Sequence, residues 1–223
     1  MKILFVAATK NEIAELQKYI VAEKLENRAE ILITGMGILQ ACFFLHQKLI
    51  QNSYNLVVNA GIAGSYLPEI EIGSLIQVYS ESLGDVAYES PGGHKSFFGS
   101  KFMDENTFPF ENGKINCPYY LLDVKLRKAI GISVNLVAGT PSTISFRKTF
   151  FNAEVESMEG IAIFFVCKLL QIPFIEIRTI SNMIEERSKQ TWNIPLACKN
   201  LNNFLIDLLI NLNQKKWTFE QKK

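Results

Sequence analysis

Val155–Asn182 reads VESMEGIAIFFVCKLLQIPFIEIRTISN. Glu159 and Gly160 open an apolar segment that predicts a helix over Gly160–Leu170, and the run that follows predicts a strand over Pro173–Thr179. Asn182 sits just beyond that strand. A carboxylate at a helix start, followed one helix and one strand later by an amide, places two polar side chains beside each other over one edge of a sheet.

The rest of the chain repeats this alternation. Lys2–Ala8 is a short apolar run, and Ile13, Leu16, Tyr19 and Ile20 recur behind it at helical spacing. Ile31–Thr34 predicts a second strand, Gly35-Met36-Gly37 a turn, and Ala41, Phe44, Leu45 and Leu49 one face of a second helix. Leu56–Asn59 predicts a third strand, ending in a loop Ala60-Gly61-Ile62-Ala63-Gly64. Further strands are expected at Leu75–Tyr79, Asp85–Tyr88 and Ser133–Ala138. Trp192 to Leu212 reads as a closing helix and Gln214–Lys223 as a frayed tail. This pattern predicts an α/β fold, a three-layer α/β/α arrangement with a central mixed, largely parallel twisted sheet. No repeat or linker divides it, so residues 1–223 are expected to form a single domain. Glu89–Tyr120 shows no period and is long for a passive connector, which suggests a pocket lid or subunit contact.

Charge and composition narrow the partners. Of 223 residues, 23 are basic and 22 acidic, a net charge of +1 that offers no field for nucleic acid or an anionic membrane surface. A small molecule is the expected partner. No apolar run reaches the roughly 18 residues of a membrane span, and no leader pattern precedes the first strand, so a cytoplasmic location is expected. Cys42, Cys117, Cys167 and Cys198 lie far apart, without paired metal spacing, and are expected to be free thiols. No metal site and no cofactor are expected.

The chemistry must come mainly from carboxylates and amides, because histidine-pair metal motifs, a nucleophile elbow and a Walker loop are all missing. His46 and His94 are the only histidines, and His46 is expected to pack among apolar neighbours on its helix. Glycines 35, 37, 61 and 64 follow strands, where backbone can approach a ligand closely. Glu176 and Arg178, two apart on a strand, are expected to pair on one face.

An opening strand followed by Glu12, Gly35-Met36-Gly37, Asn59-Ala60-Gly61-Ile62-Ala63-Gly64, Met158-Glu159-Gly160 and Arg178-Thr179-Ile180-Ser181-Asn182 together resemble the nucleoside phosphorylase and nucleosidase superfamily. That superfamily includes the methylthioadenosine/S-adenosylhomocysteine nucleosidases. Within it, Val155-Glu156-Ser157-Met158-Glu159-Gly160, and Ser181-Asn182 with Trp192 ten residues later, are most similar to futalosine hydrolases of the alternative menaquinone route. The resemblance implies hydrolysis of an N-glycosidic bond in a purine nucleoside, releasing hypoxanthine, by a homodimer or higher homo-oligomer.

It also implies roles. Glu12 would activate the water, Glu159 accept hydrogen bonds from the ribose diol, and Met158 line the sugar. Gly61 would admit substrate close to the backbone. Thr143 and Ile144, with Phe146, fall where the family stacks on the purine. Asn182 stands where relatives acting on 6-aminopurines place an Asp; its amide can donate to a 6-oxo group and accept from a protonated ring nitrogen. The inserted Ser157 displaces Glu156 from a second sugar contact. A tail carboxylate would need a cation, with Lys101 and Arg147 as the candidates, and Trp192 either closes the pocket or anchors the last helix. Two other readings stay open: a methylthioadenosine/S-adenosylhomocysteine or aminodeoxyfutalosine nucleosidase, and a catalytically silent nucleoside-binding protein.

Overall fold

The computed structural model describes residues 1–186 and 192–221. The first half runs β1 (Ile3–Ala7), a 3-10 turn (Asn11–Ile13), α1 (Ala14–Ala22), β2 (Ala29–Ile33), α2 (Ile38–Gln51), β3 (Leu56–Ser65) and β4 (Leu75–Leu83). A hairpin, β5 (Ala87–Ser90) and β6 (Gly93–Ser96), leads through β7 (Ile115–Asn116) and β8 (Tyr119–Leu121) to β9 (Arg127–Ser133). Then come α3 (Pro141–Phe151), β10 (Val155–Ser157), α4 (Gly160–Leu169), β11 (Phe174–Met183), α5 (Ile194–Asn213) and β12 (Phe219–Gln221).

Period-two alternation of side chains explains how the sheet is covered. In β1, Leu4 and Val6 join a buried cluster with Ala41, Leu45 and Leu49 of α2 and with Ile161, Ile163 and Phe164 of α4. Ile3, Phe5 and Ala7 join another with Leu16 and Ile20 of α1 and with Leu201, Leu205 and Leu208 of α5. β1 thus buries both faces, which is why it reads as a continuous apolar run rather than an alternating one.

The sheet is mixed. Its order is β10-β9-β4-β11-β3-β1-β2, and β10 also pairs with β3. Pairs β1–β2, β1–β3, β3–β11, β4–β9 and β9–β10 are parallel; β4–β11 and β3–β10 are antiparallel. The long strands β3 and β11 make this possible. The lower half of β3 pairs with β1, while its upper end, at Gly64 and Ser65, turns to β10 and closes a ring of five strands.

Several expectations from the sequence are corrected. The run Ala60–Gly64 continues β3 and forms no loop; a Cβ on Gly61 would meet Arg178 Nη1 at 2.1 Å, so this glycine provides space across the ladder. Gly35 and Gly37, at φ +82° and +95°, do make the expected turn. The strand expected at Ser133–Ala138 instead ends at Ser133, because the amides of Asn135 and Ala138 are taken by the side chains of Asp85 and Glu156. The strand expected at Asp85–Tyr88 lies in the separate β5–β6 hairpin.

The tail is not frayed as far as Gln221. β12 pairs with β8, and Trp217 stacks on Phe204 of α5 with centroids 6.0 Å apart; Lys222 and Lys223 lie outside the described residues. Phe44 and His46 are exposed, since the buried stripe of α2 is Ala41, Leu45 and Leu49. α3 has no counterpart among the elements expected from periodicity, although Thr140 caps it, Pro141 opens it and left-handed Asn152 closes it. No helix among the described residues is long and apolar enough to cross a membrane.

Candidate active site

The carboxyl ends of β1, β3 and β11 and the start of α4 enclose a cavity of about 460 Å³. Ligands of open α/β sheets bind at such strand ends, where loops and helix starts offer polar groups. Glu12, Met158, Glu159 and Asn182 all line it, with Ile62, Ala63 and Gly64 as its floor and Trp192, Ile194 and Cys198 along one wall. Residues separated by 170 positions are therefore brought into one site. Gly61 is not part of that lining; it faces Arg178, and a Cβ on it would lie 3.0 Å from Glu12 Oε1.

Glu12 is held in the 3-10 turn behind β1. Its Oε2 accepts from the amide and hydroxyl of Thr9 at 2.9 and 2.8 Å, and its Oε1 accepts from the Ile62 amide at 3.2 Å. With one donor on Oε1, a lone pair there stays available to a ligand or water. Only 8% of the residue is exposed, so these three donors fix its direction.

Glu159 is the residue from which α4 starts, and its Oε1 accepts from the Gly37 amide at 2.9 Å. The Gly35–Gly37 turn thus serves the site through a backbone donor. Burial pushes the Glu159 carboxyl above its usual range, while the Arg178 guanidinium and the Gly37 amide oppose that rise. Arg178 is the cation beneath both acids. It is 1% exposed, donates from Nε to Glu176 at 2.8 Å and reaches Ser157 Oγ from Nη2 at 3.4 Å. Burial works against its charge, but Glu176, Glu159 and Glu12 together raise it above its ordinary value. The sequence suggested only a pairing with Glu176. The signal for more was an Arg between apolar residues on a strand, a charge that must be buried with partners.

Asn182 owes its direction to a bulge. Ile180 pairs with Ala63 but Asn182 pairs with Gly64, leaving Ser181 as an extra residue. Strict alternation would place Asn182 on the side of Arg178 and Ile180; the added residue turns it to the side of Gly64, whose Cβ would lie 3.2 Å from Asn182 Nδ2. Ser181 Oγ donates to Asn182 Oδ1 at 2.8 Å, and Asn182 Nδ2 donates to the Met183 carbonyl at 3.0 Å. One N–H and one lone pair remain for a ligand.

Other expected residues fall elsewhere. Thr143 and Ile144 lie on α3, Thr143 bonded to the cap residue Thr140 and Ile144 packed on a cluster with Phe151; Val137 and Ala138 line the cavity in their place. Glu156 lines the wall, but its carboxylate is taken by Tyr66, Arg147 and the Ala138 amide, so Arg147 is already paired. Lys101 lies over the exposed Phe102 ring, away from the cavity lining.

The family model for the phosphorylase superfamily matches residues 134–210, the span that carries Met158, Glu159 and Asn182. A futalosine hydrolase of Acidothermus cellulolyticus is 27% identical over 178 residues, covering 78% of this chain and 72% of that protein. A 5'-methylthioadenosine/S-adenosylhomocysteine nucleosidase of Psychromonas ingrahamii is 22% identical over 195 residues, covering 84% of each. Among solved structures, the 5'-methylthioadenosine/S-adenosylhomocysteine nucleosidase of Colwellia psychrerythraea in complex with adenine superposes with a TM-score of 0.75 at 18% identity, over 94% of both chains. In sequence and in fold the chain is a relative of the phosphorylase superfamily and of the N-glycosyl hydrolases in it, the nucleosidases.

Proposed function

We propose that the chain is a futalosine hydrolase, cleaving the N-glycosidic bond of futalosine to release hypoxanthine and dehypoxanthinyl futalosine. It would act as a cytoplasmic homodimer of three-layer α/β/α domains spanning 1–223. The observation that carries this reading is the convergence of Glu12, Glu159, Met158 and Asn182 on one cavity from distant segments. Glu12 Oε1, with its spare lone pair, takes the proton of a water as that water's oxygen bonds to the anomeric carbon. The carbon–nitrogen bond breaks through an oxocarbenium-like state. Glu159 accepts from the ribose diol and fixes the ring over Met158, so that water and anomeric carbon stay in line.

Asn182 receives the departing base. The base leaves with the electron pair of the broken bond and takes a proton from solvent at a ring nitrogen, while Glu12 returns the water's proton to solvent; the remaining Asn182 N–H donates to the 6-oxo group and its remaining lone pair accepts from the protonated ring nitrogen. A 6-amino base would set donor against donor, leaving a buried polar group unpaired at about 1–3 kcal/mol. Asn182→Asp should therefore move preference toward 6-amino nucleosides by roughly tenfold to hundredfold. Matched 6-oxo and 6-amino substrates, followed by free purine, give the ratio; an unchanged ratio counts against the role of the amide.

Relatives of both substrate classes match at similar identity, so a methylthioadenosine/S-adenosylhomocysteine nucleosidase is the competing reading. A panel of futalosine, methylthioadenosine and inosine, assayed for purine release with and without phosphate, separates them. Faster adenine release would overturn the futalosine assignment, and a need for phosphate would overturn hydrolysis.

Support for the homodimer is an apolar face beside the cavity mouth. Met36 lines the cavity, and Leu39 and Phe43 follow on α2, with Leu39 82% exposed; Leu136 adds to the patch from the loop that Gly37 adjoins. Sedimentation should give twice the monomer mass, shifting to the monomer in Leu39→Glu/Phe43→Glu. A monomeric parent would sink the proposal.

A further inference from the structure

We propose that Glu81 is a neutral carboxylic acid that donates its proton to Glu176 and so positions Arg178 beneath the site, a role that rests on the hydrolase reading. The inference follows from counting donors. The Ile161 amide donates to Ser133 Oγ at 2.8 Å, which leaves the hydroxyl hydrogen of Ser133 for Glu81 Oε2 at 2.7 Å. Glu81 Oε2 is therefore an acceptor. Glu176 accepts on both oxygens, from Arg178 Nε at 2.8 Å and from Asn59 Nδ2 at 3.0 Å, as an ionised carboxylate does.

The remaining atom, Glu81 Oε1, is buried with no hydrogen-bond partner among the described residues. It does have a neighbour. A Cβ built on Gly160 would lie 2.6 Å from Glu81 Oε1 and 2.8 Å from Glu176 Oε2, so both oxygens approach one point that only a glycine leaves open. Two carboxylates facing each other in a dry site repel unless one carries a proton. With Oε2 committed to Ser133, that proton belongs on Oε1, aimed at Glu176 and satisfying the orphaned atom.

The groups facing Glu81 are Glu176 and Arg178 from β11, Glu159 from the start of α4, and Ser133 from β9. Burial and then the Glu176 charge push its carboxyl well above the usual range, with Ser133 and Arg178 opposing. A neutral Glu81 leaves Glu176 as the counter-charge that orients the guanidinium. Arg178 then faces Glu159 and Glu12 from a fixed place. An ionised Glu81 would compete for the same cation and draw it away from the cavity.

Glu81→Gln keeps the shape and the neutral donor, whereas Glu81→Leu cannot donate. Infrared difference spectra of the unmodified protein against Glu81→Gln should show a protonated carboxyl band at about pH 8 that the variant lacks. A group held neutral above its unfolded value stabilises fully below that value and loses the benefit as pH rises toward the folded one. Glu81→Gln should therefore melt above the parent at about pH 8, with the gap closing toward about pH 5. In turnover, Glu81→Leu should lower kcat by about tenfold with KM changed less than about threefold, and Glu81→Gln should keep most of kcat.

Absence of the band, or a Glu81→Gln variant less stable at high pH, overturns the proposal; so does unchanged kcat in Glu81→Leu. Should the leucine variant not fold, the band and the glutamine melting series still decide. Neither needs substrate, so a band present without nucleoside cleavage counts against the hydrolase reading alone.

Discussion

Replacing Glu12 with Gln should lower the rate of purine release by about 10²–10⁴ while leaving affinity for the nucleoside nearly intact. The glutamine keeps the shape, and its single amide oxygen can still accept from the amide and hydroxyl of Thr9, which holds the turn behind β1, while its NH2 takes the place of Oε1 and gives up the Ile62 bond. What disappears is the basicity of Oε1, which is needed only as the water loses its proton. An interaction used only in the transition state shows itself as a loss in kcat with little change in binding. Single-turnover release and calorimetric binding on the same preparation separate the two quantities. Turnover that persists would remove Glu12 as the base, whereas binding without any turnover in the parent would support the silent nucleoside-binding reading.

Arg178→Met should destabilise the fold by about 3–5 kcal/mol, because removing one partner of a buried ionic cluster leaves its charges uncompensated. In a chain of this size that corresponds to roughly 10 °C in melting temperature. Methionine fills a similar volume, so the loss is electrostatic: Glu176, Glu159 and Glu12 would face one another without the cation that Arg178 supplies. The Glu159 carboxyl, which burial already pushes above its usual range, would lose the cation that opposes that rise. Stability of the variant should then recover as pH falls, since protonation removes the repulsion. Melting curves at neutral pH and at about pH 5 test this, and a variant as stable as the parent at both would refute the account.

The parts of the fold that sequence reading reached were those written in side-chain periodicity. β1, α2, α4 and β11 carry apolar positions at strand or helix spacing, and Glu159 stands at the start of α4 where the apolar run begins. The parts it missed depend on what lies across space. Whether Ala60–Gly64 turns or continues is decided by Arg178 on the neighbouring strand, which needs the room of Gly61. The bulge at Ser181 leaves no mark in composition, yet it chooses the face of Asn182. α3 is weakly amphipathic, with Ser142, Thr143 and Ser145 in its first turns, so its caps were stronger signals than its period. The resemblance assigns Thr143 and Ile144 to the purine; they lie on α3, outside the cavity lining that Val137 and Ala138 join.

Ring closure by β10 also settles where this molecule is vulnerable to sticking to others of its kind. A sheet recruits foreign strands through unpaired main-chain groups at its edges, and a strand paired on both sides has none to offer. With β10 joined to β9 and β3, and apart from the two-residue β7 that pairs with β4 alone, the edge left to this sheet among the described residues is β2. It is five residues long, and Glu30, its second residue, is held by Lys48, Tyr54 and Lys2. Burial works to raise that carboxyl, but those three partners hold it down to about 2, so it stays charged at any physiological pH. A short strand with a fixed charge is a poor template for addition, and the apolar Ile31, Leu32 and Ile33 beside it are guarded by one residue that keeps its charge across the physiological range.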